Sequence, residues 1–249
     1  MRVVDSRGQR ISNLVEWQSR IFDGTSKEKD WKKGRSAHSL AEFIMDRKGA
    51  AYLETRMSSV LSQHVKLEQA TPEYLAKFDS YPGNPSNLDL AITGYVERLT
   101  LRASLFVGVE AKVDETFGNT VRSRYSSAIK TREAGNRTNA PERVKGLLSR
   151  YFSVHGSPDS SRFAPIRYQL LTGTAGTVAA PGEVSVFYIL VFRTSMYDER
   201  KGMSNLRDYG SFIEAARGKL LIRDGKDFRA DELELDGKRL LCVYDYVDL

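Results

Sequence analysis

Over residues 1–35 the apolar positions are sparse, with Trp17, Ile21, Phe22 and Trp31 scattered among charges, so this stretch reads as a loosely organised arm or a short helix docking on the body. At Ser39 the pattern changes. Ser39 and Glu42 have the spacing of a capping box, in which side chains at both positions satisfy free backbone N–H groups, and Leu40, Phe43 and Ile44 supply an apolar helix face. A second helix is predicted from about Gly49 to Leu61. Strand-like periodicity follows over His64 to Ala70, Leu88 to Thr93 and Leu105 to Lys112, with a loop at Tyr81-Pro82-Gly83-Asn84-Pro85 between the first two.

Beyond Gly118 the period returns to helical, carried by Val121, Tyr125, Ala128 and Ile129, and Pro141 stands at the start of a further helix reaching Phe152. After a turn-forming segment, His155 to Ser161, a helix from about Ala164 to Ala179 carries Gly173 and Gly176 in its interior. Glycine costs helix stability there, which points to close helix-to-sheet contact. The nearly continuous apolar run Val184 to Phe192 reads as a strand buried on both faces, hence at the sheet centre. A helix from about Asn205 to Arg217 precedes Leu233 to Leu235 and Arg239 to Val243, which flank Asp236-Gly237, a dipeptide suited to a type I′ hairpin and a small C-terminal β element. The expected fold is α/β: a mixed central β-sheet flanked by helices on both faces, in one domain. That domain divides into an arm (1–35), a core (39–194) and a C-terminal helix and hairpin (195–249).

Composition agrees with a self-folding globular chain: 249 residues, 41% hydrophobic and 28% charged. The net charge of +6 favours a polyanionic partner, because each neutralised phosphate releases counterions. The single cysteine, Cys242, excludes an intramolecular disulfide and a cysteine-based metal site, reads as a buried thiol and fits a reducing cytoplasm. No apolar run is long enough to cross a bilayer and no leader pattern opens the chain, so a cytoplasmic protein without membrane contacts is expected.

The chemistry concentrates on two strands. Side chains alternate along a strand, so Glu110 and Lys112 share one face while Val107, Val109 and Ala111 share the other. In Asn87-Leu88-Asp89-Leu90-Ala91-Ile92 the same alternation groups Leu88, Leu90 and Ile92 and turns Asp89 away from them. Charges in such strands need compensation, because burying an unpaired carboxylate costs several kcal/mol. One form is a divalent cation held by Asp89, Glu110 and the carbonyl of Ala111, hard oxygen ligands that suit Mg²⁺ or Mn²⁺. Lys112 then orients or helps deprotonate an attacking water, or stabilises charge on a phosphate. The competing structural reading has Glu110 and Lys112 solvated on an edge strand and Asp89 paired to an arginine.

Asp89 on one strand and Glu110-Ala111-Lys112 at the end of the next, after Leu105-Phe106-Val107-Gly108-Val109, resemble the PD-(D/E)xK nuclease superfamily, the restriction-endonuclease-like fold. The stretch Val109 to Gly118 is also similar to one in uncharacterised bacterial proteins suspected of this fold. Leu88 stands where the motif's proline would be, and the chemistry does not require that proline. The resemblance covers about Ser39 to Thr194. It implies Mg²⁺ on Asp89 and Glu110 and hydrolysis of a phosphodiester, with DNA preferred over RNA as substrate and a homodimer if both strands of a duplex are cut.

Further residues carry two readings each. Glu42 either adds a metal ligand from the first helix, as in many superfamily members, or only completes the capping box. Gln169 resembles a polar helix residue that some members place beside the site, and equally fits an exposed helix position. Asp114 and Glu115 either extend the metal site or favour the next helix N-terminus through its dipole. Arg122, Arg124, Lys130 and Arg132, with Tyr125, either track a phosphate backbone or form a solvated face. His38, His64 and His155 lack the spacing for zinc or a catalytic triad, and Gly173 to Gly176 is not a P-loop. Beside the nuclease stands a second expectation, a catalytically inactive nucleic-acid-binding or protein-interaction module on the same fold.

Overall fold

A computed structural model describes residues 1–46, 48–83, 86–98, 101–225 and 227–249. Among these residues, nine strands form one mixed sheet in the order β2-β1-β3-β4-β5-β6-β9-β8-β7. The strands are β1 (Arg2–Val4), β2 (Arg10–Ile11), β3 (Val65–Ala76), β4 (Ser86–Glu97), β5 (Arg102–Lys112), β6 (Val184–Arg193), β7 (Lys219–Asp224), β8 (Phe228–Leu235) and β9 (Lys238–Asp248). Pairing is parallel for β1 with β3, β5 with β6 and β6 with β9, and antiparallel for the rest. The helices are α1 (Leu14–Ile21), α2 (Ser36–Asp46), α3 (Gly49–Leu61), α4 (Val121–Glu133), α5 (Ala140–Phe152), α6 (Tyr168–Ala179) and α7 (Glu199–Ala215). Every residue of β6 from Ser185 to Phe192 is buried, as its apolar run predicts for a strand covered on both sides.

Helices cover both faces of the sheet. On one, Trp17 of α1, Phe43 of α2 and Leu53 and Met57 of α3 pack with Val107, Val109 and Ala111. On the other, Tyr125 of α4, Leu147 and Tyr151 of α5, Leu170 of α6 and Phe212 of α7 pack with Phe106 and Phe187. The two helical glycines have the expected reason: a Cβ at Gly173 would stand 2.6 Å from the Phe187 ring, and one at Gly176 would stand 2.7 Å from Ala76 Cβ. Such approaches bring α6 down onto the strands beneath it.

Several expectations need correction. Residues 1–35 are an integral part of the fold: β1 adds to β3, and Val3, Ile11, Trp17 and Phe22 are buried in one core. Helix α2 begins at Ser36, so the Ser39 N–H donates to the Arg35 carbonyl within the helix at 2.8 Å and no capping box forms. Helix α6 begins at Tyr168, four residues later than expected, because Arg167 is held in an isolated bridge to Thr120. The C-terminal hairpin joins the main sheet, with β9 running parallel to β6. Its turn is as read, Asp236 and Gly237 both having positive φ (52° and 72°), the type I′ requirement. The loop 81–85 was expected between β3 and β4, and its Asn84 and Pro85 lie outside the described residues. Cys242 is a buried free thiol. Among the described residues no helix is long and apolar enough to cross a membrane.

Candidate active site

Strand β5 alternates as its sequence dictates. Val107, Val109 and Ala111 enter the core under α1–α3, while Glu110 and Lys112 turn toward α6. Both charged residues are nevertheless inside the protein, at 1% and 4% exposure, and β5 is an interior strand. The edge-strand reading of solvated charges is therefore wrong. Lys112 Nζ donates to Glu110 Oε1 at 2.6 Å, and Gln169 Nε2, from the first turn of α6, donates to the same oxygen at 2.6 Å. Gln169 is thus half-buried and engaged, not a free surface glutamine. The Lys112 ammonium also lies 5.3 Å from the centre of the Phe117 ring.

Strand β4 departs from simple alternation. Leu90 and Ile92 pack under α1–α3 as expected, but Leu88 packs under α6, against the opposite core. The break falls on Asp89. The regular β4–β5 ladder ends at Leu90 opposite Val109, and the Asp89 carboxylate takes over by accepting the Ala111 N–H at 2.8 Å. Among the described residues a backbone amide, and no arginine, is its hydrogen-bonding partner there. On the other side of β4, the β3 ladder skips from Pro72 opposite Leu90 to Tyr74 opposite Leu88, and Glu73 between them has φ 51°. A non-glycine residue in that conformation carries strain of about 1–3 kcal/mol. Glu73 is held by Lys27 and Asn87, both bonding its Oε2.

These kinks bring four carboxylates into one electrostatic system. Burial pushes Asp89 well above the usual carboxylate range, and the charges of Glu110 and Glu73 add to this while Lys112 opposes it. Glu110 is also raised by burial, against the pull of Lys112, with Glu115 and Glu73 adding to the rise. For Lys112 burial acts downward, but Glu110, Asp89 and Glu115 outweigh it and keep the group an ammonium above its ordinary value.

The loop joining β5 to α4 is fastened at several points. Arg167 donates to the Gly118 carbonyl at 2.7 Å and to Asp208 at 2.8 Å, and Asn205 donates to the Glu115 carbonyl at 2.8 Å. Helix α4 starts at Val121, capped by Thr120, so Asp114 and Glu115 lie too far upstream to act on its N-terminus. Asp114 instead pairs with Arg35 at 3.5 Å, and Glu115 lines a cavity beside Asp89.

Two recesses open at this end of the sheet. A cavity of about 260 Å³ contains Asp89, Glu73 and Glu115, with Lys27 and Asp30 from the N-terminal segment and Arg35 and Ser36 at the start of α2. A more open groove of about 510 Å³ contains Gln169, Asn87, Asn119, Tyr168 and Arg124, and Lys27 again. Glu42 faces elsewhere, 3.8 Å from His38 Nδ1 and outside the cavity lining. The basic residues of α4 divide. Arg124 reaches the groove beside Tyr168, whereas Arg122 bonds the Asp159 carbonyl at 3.2 Å and Arg132 bonds Glu142 at 2.8 Å. Lys130 is exposed and Tyr125 is buried.

Glu73, Lys27 and Asn87 join the site without a sequence motif. The one available signal is Pro72, which cannot donate to a ladder and so marks a local irregularity in the strand. Among the described residues, no three His, Cys, Asp or Glu are grouped so as to hold a metal ion.

The model of a family described as Domain of unknown function (DUF6946) matches residues 10–243 of the chain. No curated protein matches, and no solved structure does.

Proposed function

The chain belongs to the DUF6946 family, and for it we propose a metal-dependent nuclease of the PD-(D/E)xK type on a restriction-endonuclease-like fold, hydrolysing phosphodiester bonds, in DNA before RNA. The observation that carries the reading is the buried Glu110–Lys112 pair with the Asp89 carboxylate bonded to the intervening Ala111 amide. A buried carboxylate and ammonium on β5, beside the half-buried Asp89 carboxylate where the alternation of β4 breaks, are costly to fold, and such costs are tolerated where they serve chemistry.

The residues present fit a magnesium-type ion. Asp89, Glu110, Glu73 and Glu115 are coupled in charge, with Lys112 and Lys27 as the cations beside them, and this negative surplus calls for a counter-cation. All available donors are hard oxygens, and Mg²⁺ is commonly held by only one or two carboxylates while keeping several waters, so no tight cluster of three side chains is needed. Asp89, Glu110 and the Ala111 carbonyl are the residues to hold it; Glu42, beside His38 and outside the cavity lining, is not among them. Once bound, the ion supplies Lewis-acid polarisation of a phosphate oxygen and lowers the pKa of a bound water.

The protein's own groups have distinct tasks. The Ala111 amide fixes one Asp89 oxygen, and Gln169 and Lys112 together fix one Glu110 oxygen. Lys112, held as an ammonium by its acidic neighbours, acts as a hydrogen-bond donor that orients the attacking water and stabilises charge growing on the phosphate. Arg124, at the groove, stands where it can bind a flanking phosphate.

The test is incubation of the purified protein with supercoiled plasmid, single-stranded DNA and RNA, in Mg²⁺ or Mn²⁺ and in EDTA. Cutting that needs the metal supports the nuclease. A folded protein that cuts none of the three counts against it and favours a binding module on the same fold.

A further inference from the structure

The cavity beside Asp89 is unlike the groove on the other side of the sheet edge, and the difference bears on the substrate. At about 260 Å³ it lies below the range usual for drug-sized ligands, so a duplex cannot enter it, whereas a single planar ring system can. Its apolar part is formed by Trp17, Phe22 and Leu40, all buried and packed into one core. Its polar part holds four carboxylates, Asp30, Glu73, Asp89 and Glu115, against two cations, Lys27 and Arg35.

Away from a metal ion on Asp89, that charge balance repels a phosphate. It suits a nucleobase, whose faces are apolar and whose ring N–H and exocyclic amino groups donate to carboxylates. The neighbouring groove, with Arg124, Asn87, Asn119 and Gln169, has the opposite bias and suits the sugar–phosphate chain. Lys27 lines both recesses and Asp89 lines the cavity, so a nucleotide with its base in the cavity would have its phosphate beside Lys27.

We infer that this cavity receives the base of an unpaired nucleotide next to the scissile phosphate, which makes the substrate a single strand or a frayed or flipped position, and not an uninterrupted duplex. The inference rests on the nuclease reading for the identity of its ligand. It assigns Asp30 to base recognition, with Trp17 and Phe22 as the buried apolar floor of the cavity, and gives the N-terminal segment, with Lys27, a direct part in substrate choice.

Binding of fluorescein-labelled oligonucleotides of one sequence, single-stranded and duplex, is measured by anisotropy with Ca²⁺ in place of Mg²⁺, for the wild type and for Ala37→Leu. Ala37 lines the cavity from α2, an element separate from the strands that carry Asp89, Glu110 and Lys112, and the larger side chain takes up part of its volume. The single strand is expected to bind at least about tenfold more tightly than the duplex, an advantage lost in Ala37→Leu. Independently, a deoxynucleoside monophosphate is expected to quench Trp17 fluorescence in a Trp31→Phe background, which keeps the test open if Ala37→Leu folds poorly. Equal binding of duplex and single strand, or absence of quenching, overturns the inference. If DNA is cut but duplex is preferred, the cavity assignment fails and the nuclease stands. If nothing is cut while single-strand preference and quenching hold, the nuclease fails and the cavity assignment stands.

Discussion

Gln169, at the start of α6, donates a 2.6 Å hydrogen bond to the Glu110 oxygen that also accepts from Lys112. The contact spans two elements far apart in sequence, and it sets the direction of a carboxylate that burial would otherwise leave costly and free to rotate. Gln169→Ala is expected to lower the rate of phosphodiester cleavage by about 10–100-fold, the usual effect of removing a group that orients a metal-binding side chain. Single-turnover kinetics check it. Apparent substrate affinity should change little, since Gln169 acts through Glu110. A rate unchanged in a folded variant would separate α6 from the chemistry.

Asp89→Asn should stabilise the metal-free protein while abolishing activity. The amide oxygen still accepts from Ala111 N–H, whereas the repulsion from Glu110 and Glu73 disappears. A rise in Tm of about 2–6 °C is expected by thermal denaturation in EDTA. A fall would mean that Asp89 is a structural group whose charge the fold needs.

The same electrostatics give a pH dependence. Asp89, Glu110 and Asp245 all have folded-state pKa values raised by burial above the ordinary carboxylate range. An acid raised on folding contributes stability that is fully present below its unfolded pKa, near 4, and is lost as pH rises through the folded value. Metal-free stability is therefore expected to decline from about pH 4 upward, apart from the carboxylates held low by partners, such as Glu142 beside Arg132, whose contribution is instead lost on acidification. Denaturant midpoints across pH, for wild type and Asp89→Asn, check this: the decline should be shallower in the variant.

Gly173→Ala tests the docking of α6, and with it the support of Gln169. The added methyl would meet the Phe187 ring, and a cost of about 1–3 kcal/mol is expected despite the better helix propensity of alanine. Urea denaturation measures it. A stabilised variant would show that the helix can lift from the sheet without penalty.

How far the sequence reveals this site depends on whether each signal is local. Glu110 and Lys112 were legible because strict alternation from Phe106 to Lys112 leaves one assignment of faces. The Asp236-Gly237 turn was legible for a similar reason, since few dipeptides accept two positive φ values. The position of Asp89 is legible but its setting is not: alternation puts Leu88 and Leu90 on one face, and only the carboxylate's capture of the Ala111 amide explains why they separate. Glu73 escapes because the strand periodicity reads as ending at Ala70, whereas the strand continues to Ala76. Lys27 escaped because its role depends on where the N-terminal segment packs, a long-range outcome that no local period encodes. The Ser39–Glu42 spacing misled for the opposite reason, since a complete local motif was overridden when α2 extended back to Ser36.

The central claim is that Asp89, Glu110 and Lys112 form one catalytic unit, and metal-dependent DNA cleavage by wild type beside Lys112→Ala and Asp89→Ala tests it most directly. The account predicts cutting by the wild type in Mg²⁺ or Mn²⁺, reduced by about 100–1,000-fold or more in either variant, with both variants folded by circular dichroism. Cutting that persists undiminished in folded Lys112→Ala would contradict it.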